Sequence, residues 1–188
     1  MANPTQINCG QFLLRRWRME DKDSLIRHAN NPNIVRNVRD IFPYPYTEAD
    51  AMQWLAFANS EEQAPWVLAI EVDGEAAGVI SLLPRSDVER HTAELGYWLG
   101  EAFWGRGIVT AAVRAITEHA FQQSDLYRIF ANVFARNIAS MRVLEKAGYS
   151  REAVLVRSVV KDGVLMDLVV YSTTRDPGLP YIAALDTR

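Results

Sequence analysis

The sequence predicts a mixed α/β (α+β) domain built around a central sheet. Three observations predict it. Strand-like and helix-like runs follow one another in the order strand, two helices, three strands, helix, strand, helix, two strands. Two pairs of strand runs are joined by Asp-Gly, the dipeptide of tight hairpins. Two helix-like runs begin straight after strands, each with glycine, asparagine or serine at the junction. No repeat, low-complexity tract or linker interrupts the 188 residues. That length suits one domain, so residues 1–188 are expected to form one, with about seven strands flanked by about four helices.

Each element has a local reason. Gln11 to Arg18 mixes apolar residues with arginine and reads as the first strand. Glu20 to Asn30 reads as a helix, with acids in its first turn and Pro32 as its stop. A loop rich in proline and aromatics, residues 41–46, leads to Thr47. There a capping box with Asp50 starts a second helix, which runs to about Ser60. Trp66 to Val72 and Ala76 to Leu83 are strand runs around Asp73-Gly74, and Thr92 to Leu99 is a third. A long helix is expected from about Arg106 to Gln122, since Val109, Val113, Ile116 and Ala120 recur at helical spacing. Tyr127 to Phe134 is the next strand. Asn137 to Ala147 is a short helix that Gly148 ends. Ser150 to Val160 and Val164 to Thr173 close the chain around Asp162-Gly163.

Composition narrows the function. The net charge is -3, against a nucleic-acid partner, which needs a basic footprint. The Arg15, Arg16 and Arg18 cluster reads as the solvated side of a strand. Apolar residues make up 49%, enough for a core without disulfides, and Cys9 has no partner within the chain. The opening MANPTQINCG lacks the pattern of a secretory signal, and no apolar run approaches membrane-spanning length. A cytoplasmic protein with no membrane partner is expected.

The most informative segment is LGYWLGEAFWGRGIVTAAV, residues 95–113. Gly105 and Gly107 fall where the long helix begins. Glycine lets backbone approach a ligand closely, and the free N–H groups of a helix start favour a phosphate. Amides from Gly105 to Thr110 can therefore cradle a pyrophosphate. A dinucleotide-binding turn needs a third glycine, but Thr110 stands there. A P-loop needs a lysine, which is missing after Gly107. A tight turn without a ligand is the remaining reading. In the second segment, ARNIASMRVLEKAGY, Asn137 and Ser140 can share one helix face; simple capping explains them equally.

Together these segments resemble the GCN5-related N-acetyltransferase (GNAT) superfamily, in its ribosomal-protein N-terminal acetyltransferase-like (RimJ/RimL-type) branch. The pyrophosphate motif is similar to Phe103-Trp104-Gly105-Arg106-Gly107-Ile108-Val109-Thr110, and the later motif to Asn137 through Tyr149. The opening LRRWRMEDKDSLIRHANNP and the FPYPYTEADA segment resemble the branch as well. The resemblance implies transfer of an acetyl group from acetyl-CoA to a primary amine, with no metal. It implies coenzyme contacts from Trp104, Gly105, Arg106, Gly107, Ile108, Val109, Thr110, Asn137 and Ser140, and an oxyanion donor near Trp98 or Leu99. Two residues depart from the pattern. Val109 stands where the family usually has Gly or Ala. Leu144 stands where many members have a tyrosine that protonates the leaving thiolate.

Amide formation needs a neutral amine, so a base helps remove its proton. Glu94 is the candidate, sharing a strand face with Gly96 and Trp98; a surface or ion-paired glutamate is the alternative. Ser140 is the candidate for coenzyme contact and for a proton to the thiolate. His28, His91 and His119 lack metal-ligand spacing. Phe42, Tyr44 and Tyr46 could wall the acceptor pocket, or simply pin their loop to the core. The acceptor classes are a protein N-terminus or a small-molecule amine, with the enzyme a monomer or homodimer. A non-catalytic acyl-CoA-binding protein is the rival reading, which Leu144 favours; a nicotinamide-dependent oxidoreductase is disfavoured by the missing third glycine.

Overall fold

The computed structural model describes residues 6–60 and 66–181. Eight strands form one sheet: β1 (Gln6–Asn8), β2 (Phe12–Arg15), β3 (Val67–Val72), β4 (Glu75–Pro84), β5 (Thr92–Leu99), β6 (Arg128–Phe134), β7 (Ser150–Lys161) and β8 (Val164–Thr174). Five α-helices accompany them among the described residues: α1 (Lys22–Ala29), α2 (Pro32–Val35), α3 (Glu48–Ala58), α4 (Ile108–Gln123) and α5 (Ile138–Lys146). The strand order is β1-β2-β3-β4-β5-β6-β8-β7. All neighbours are antiparallel except β5 and β6. Among the described residues, no helix is long and apolar enough to cross a membrane.

Local chemistry sets the element ends. Thr47 and Asp50 form the expected capping box. Both Asp-Gly pairs adopt positive φ at both residues, the geometry of a two-residue hairpin turn. Gly148 caps α5 at φ 94°.

Four expectations are corrected. The sheet gains β1, too short to show a period. Pro32 does not stop the first helix, which ends at Ala29; it occupies the first turn of α2, where its missing N–H costs nothing, and Asn31 caps that turn by accepting from the Asn33 N–H at 2.8 Å. The long helix starts at Ile108 rather than Arg106, because Gly105 and Gly107 sit at positive φ. Arg15 is no solvated residue: it is 4% exposed and donates to both Asp21 oxygens at 2.7 and 2.8 Å, and to Glu71.

Two apolar cores flank the sheet. Ala93, Leu95 and Leu99 of β5 pack with α4 and α5 on one face. Trp98 faces the other way and packs with α1 and α3. Alternation along the strand places Glu94 and Gly96 on this second face. The β5–β6 ladder holds only from Thr92↔Arg128 to Glu94↔Phe130. Past that point β5 stays with β4 up to Gly78↔Leu99, and β6 stays with β8 up to Phe134↔Leu168. The sheet therefore splits into a seam between β5 and β6.

Candidate active site

At the far end of β5 the chain turns into α4. Gly100 donates its N–H to the Ala77 carbonyl at 2.7 Å, and the His28 ring packs so closely that a Cβ on Gly100 would lie 2.7 Å from Nδ1. Trp104 donates its indole N–H to the Leu99 carbonyl at 2.7 Å. Gly105 and Gly107 follow at φ 75° and 74°, and nothing lies within 4 Å of a Cβ built on either. The first backbone bond of α4 runs from the Ala111 N–H to the Gly107 carbonyl at 3.1 Å. The Ile108, Val109 and Thr110 amides thus point out of the helix start into open space beside two glycines. A phosphate group fits there without displacing a side chain. Val109 is compatible with this, because its side chain packs against the core. Arg106 lies 5.6 Å over the Phe103 ring and bonds Asp73 at 3.2 Å.

An open cleft of about 310 Å³ brings Trp104 and Asn137 together, and Asn33, Arg36 and Asn37 of α2 and the turn after it also line it. Nothing in the sequence marked those three residues. Asn137 caps α5, accepting from the Ser140 N–H at 3.2 Å. Ser140 Oγ lies 2.8 Å from the Tyr97 hydroxyl, a residue that no motif in the sequence marks. Leu144 is fully buried in the core.

On the opposite face, Glu94 is 14% exposed and its Oε1 does double duty: it accepts from Arg39, an ion pair, and from Asn132 Nδ2 at 3.2 Å. Among the described residues Oε2 has no hydrogen-bond partner. Phe42 meets Trp98 edge-on at 5.9 Å and Tyr46 at 5.2 Å. The three loop aromatics thus part company. Phe42 stands against the strand. Tyr44 is 55% exposed. Tyr46 is buried, and Asn30 clamps its backbone with two 2.7 Å bonds. Burial pushes the Tyr46 hydroxyl well above its ordinary pKa. The tip of the β7–β8 hairpin closes this side: Lys161 pairs with Asp40 at 2.6 Å, while Arg136 bonds Asp162 at 3.0 Å and the Arg36 carbonyl.

The histidines are dispersed. His28 contacts Glu75 at 3.3 Å, His91 lies 3.0 Å from Asp125, and His119 stacks edge-on against Trp66. Among the described residues no three His, Cys, Asp or Glu side chains group as a metal site.

Residues 11–150 match the acetyltransferase (GNAT) domain family. A probable N-acetyltransferase, YjcK, of Bacillus subtilis is 42% identical over 95 residues, half of this chain and 52% of that protein. The putative ribosomal N-acetyltransferase YdaF of the same organism is 37% identical over 100 residues, 53% of this chain and 54% of that one. The chain spans about half the length of these two relatives. Among solved structures, Mycobacterium smegmatis RimJ in complex with CoA-disulfide superposes with a TM-score of 0.77 at 26% identity, covering 88% of this chain and 83% of that one.

Proposed function

Because the chain belongs to the GNAT acetyltransferase family, we propose that it transfers the acetyl group of acetyl-CoA to a primary amine, by direct attack in a ternary complex. One observation carries the reading: a seam splits the sheet, and it ends at the glycine-lined start of α4. Glu94 and Trp98 flank it on one face, and Tyr97 and Ser140 on the other. An amine and a coenzyme can therefore meet through the sheet from opposite sides.

The chain's own groups have distinct tasks. Amides from Gly105 to Thr110, with Arg106 beside them, hold the pyrophosphate. Asn137 and Trp104 line the cleft through which the coenzyme arm reaches the seam. Bound acetyl-CoA supplies an activated acyl carbon and a thiolate leaving group. The backbone N–H of Trp98 or Leu99 stabilises negative charge on the acyl oxygen. Glu94 Oε2 takes the proton of the incoming amine, while Arg39 and Asn132 hold the carboxylate by Oε1. Phe42 and Trp98 wall the acceptor side, with Tyr44 at its exposed rim and Tyr46 anchoring the loop from within. The acceptor is a protein N-terminus or a small amine. The protein works in the cytoplasm as one domain over residues 1–188, as a monomer or homodimer.

A panel of peptides and small amines tests the proposal, with thiol release and acceptor mass as readouts. Acetylation of any amine above background supports it. The buried Leu144, with no hydroxyl at that position, favours a second reading as a non-catalytic acyl-CoA-binding protein. That protein would bind acetyl-CoA and acetylate nothing in the panel.

A further inference from the structure

The Tyr97 hydroxyl takes no part in the chemistry above, yet it contacts Ser140, the candidate donor to the leaving thiolate. Tyr97 lies on β5 past its last pairing with β6, and Ser140 lies on the helix that follows β6. Their 2.8 Å contact therefore bridges the two sides of the seam. A longer contact, 3.3 Å, runs from the same hydroxyl to the Ser140 carbonyl. Either hydroxyl can donate across the shorter contact; the phenol is the stronger acid of the two and so the better donor, which assigns its proton to Ser140 Oγ. Ser140 is held from a second direction as well, its N–H capped by Asn137. Among the described residues Ser140 Oγ has no other hydrogen-bond partner. A hydroxyl oxygen that already accepts from Tyr97 must aim its own proton elsewhere.

We propose that Tyr97 is a positioning residue: by donating to Ser140 Oγ, it makes Ser140 an obligate hydrogen-bond donor to the coenzyme sulfur. The proposal rests on the acetyl-CoA reading of the seam.

Tyr97 does not act as the proton source. Burial raises its hydroxyl above the ordinary phenol range. A thiol ionises near ~8.5 and a phenol near ~10 even when exposed, so a proton moving from this phenol to the thiolate would run uphill. A tyrosine that keeps its proton is instead a permanent donor. The neighbouring titratable side chain, Tyr149, is likewise buried and bonded to Thr117 Oγ1 at 2.7 Å, so it offers no competing charge. The hydrogen bond from Ser140 stabilises the thiolate as the carbon–sulfur bond breaks and its electron pair passes to sulfur; solvent then protonates it. On this account Leu144 removes no necessary group, because the stabilising donor comes from the serine four residues earlier.

The test reads bound CoA, not turnover. CoA is bound to the protein, and its thiol is titrated by the ultraviolet absorbance of the thiolate. A donor to the thiolate lowers the thiol pKa. The wild-type complex is expected to titrate about half to one pH unit below the Tyr97→Phe and Ser140→Ala complexes, a three- to tenfold change in ionisation constant. The double variant should shift no further than either single one, since one chain of hydrogen bonds is broken. Ser140→Thr, which keeps the hydroxyl, should restore most of the shift. Calorimetry should find CoA affinity within about threefold of wild type in the variants, since the bonds to phosphate are untouched. Tyr97→Phe keeps the packed ring, and Ser140→Ala breaks the same contact from the other side should either variant misfold. Equal thiol pKa values in wild type and Tyr97→Phe would overturn the proposal, as would additive shifts in the double variant. The titration needs no acceptor, so it stays readable even if no amine is acetylated.

Discussion

The indole N–H of Trp104 is bonded to the carbonyl of Leu99 at 2.7 Å, tying the start of the glycine turn to the last residue of β5. The bond ends the strand and orients the amides that follow it. Trp104→Phe keeps an aromatic ring and removes the donor. Its loss should weaken acetyl-CoA binding about three- to tenfold, the value of one net hydrogen bond of about 1 kcal/mol. Calorimetry against wild type checks this. The bond lies within the protein, so its loss should also lower the melting temperature by about 2–4 °C.

Gly107→Val should damage the coenzyme site by a different cause from simple crowding. No protein atom lies within 4 Å of the added Cβ, but φ is 74°. A β-branched residue resists that conformation by about 1–2 kcal/mol or more, and it fills the space a phosphate would occupy. Acetyl-CoA affinity should fall at least tenfold while circular dichroism stays native. Undiminished affinity in a folded variant would place the cradle elsewhere.

Glu94→Gln separates the base from the ion-pair anchor. Gln keeps an oxygen for Arg39 and Asn132 but cannot take a proton. Turnover at neutral pH should fall about 10²-fold or more with acetyl-CoA affinity unchanged, and the deficit should shrink as pH rises and the amine is already neutral. Arg39→Met breaks the same ion pair and leaves the base. It should lower turnover far less if Glu94 is the base, and about as much as Glu94→Gln if the pair merely anchors the loop.

Asp21→Asn tests the buried pair beneath the first strand. Arg15 would lose its charged partner inside the protein, leaving Glu71 alone to balance it. Removing one member of a buried pair costs about 3–5 kcal/mol, reduced here by the remaining glutamate. Urea unfolding should show a loss of about 2–4 kcal/mol. Among the described residues none from Gly105 to Thr110 bonds Arg15, Asp21 or Glu71, so affinity for acetyl-CoA should survive in the folded fraction.

Features written in neighbouring residues were legible in the sequence. The Asp73-Gly74 and Asp162-Gly163 turns, the Thr47–Asp50 box and the glycine start of α4 are each specified within four residues. Backbone dihedrals and helix-end hydrogen bonds are short-range, so the fold class and the glycine turn before α4 could be read without coordinates. Pro32 shows how narrow the margin is. The same ring that blocks a helix interior opens a new helix, and only the path of the chain after Ala29 decides which.

What the tertiary structure alone decided lies between residues far apart in the chain. Arg39 reaches Glu94 across 55 positions, and Tyr97 reaches Ser140 across 43. Arg15 resembles its neighbours Arg16 and Arg18 in sequence, yet Glu71 of the adjacent strand, with Asp21, draws it inward. Phe42, Tyr44 and Tyr46 look alike in the string, but one meets Trp98, one faces solvent and one is buried. A side chain's partners depend on which strands the sheet sets side by side, and that order follows from burying both faces of the whole sheet at once. No local pattern encodes it. The glycine turn at the start of α4 could thus be named from the chain, whereas the surroundings of Glu94 and Ser140 exist only once β5 and β6 have paired and parted.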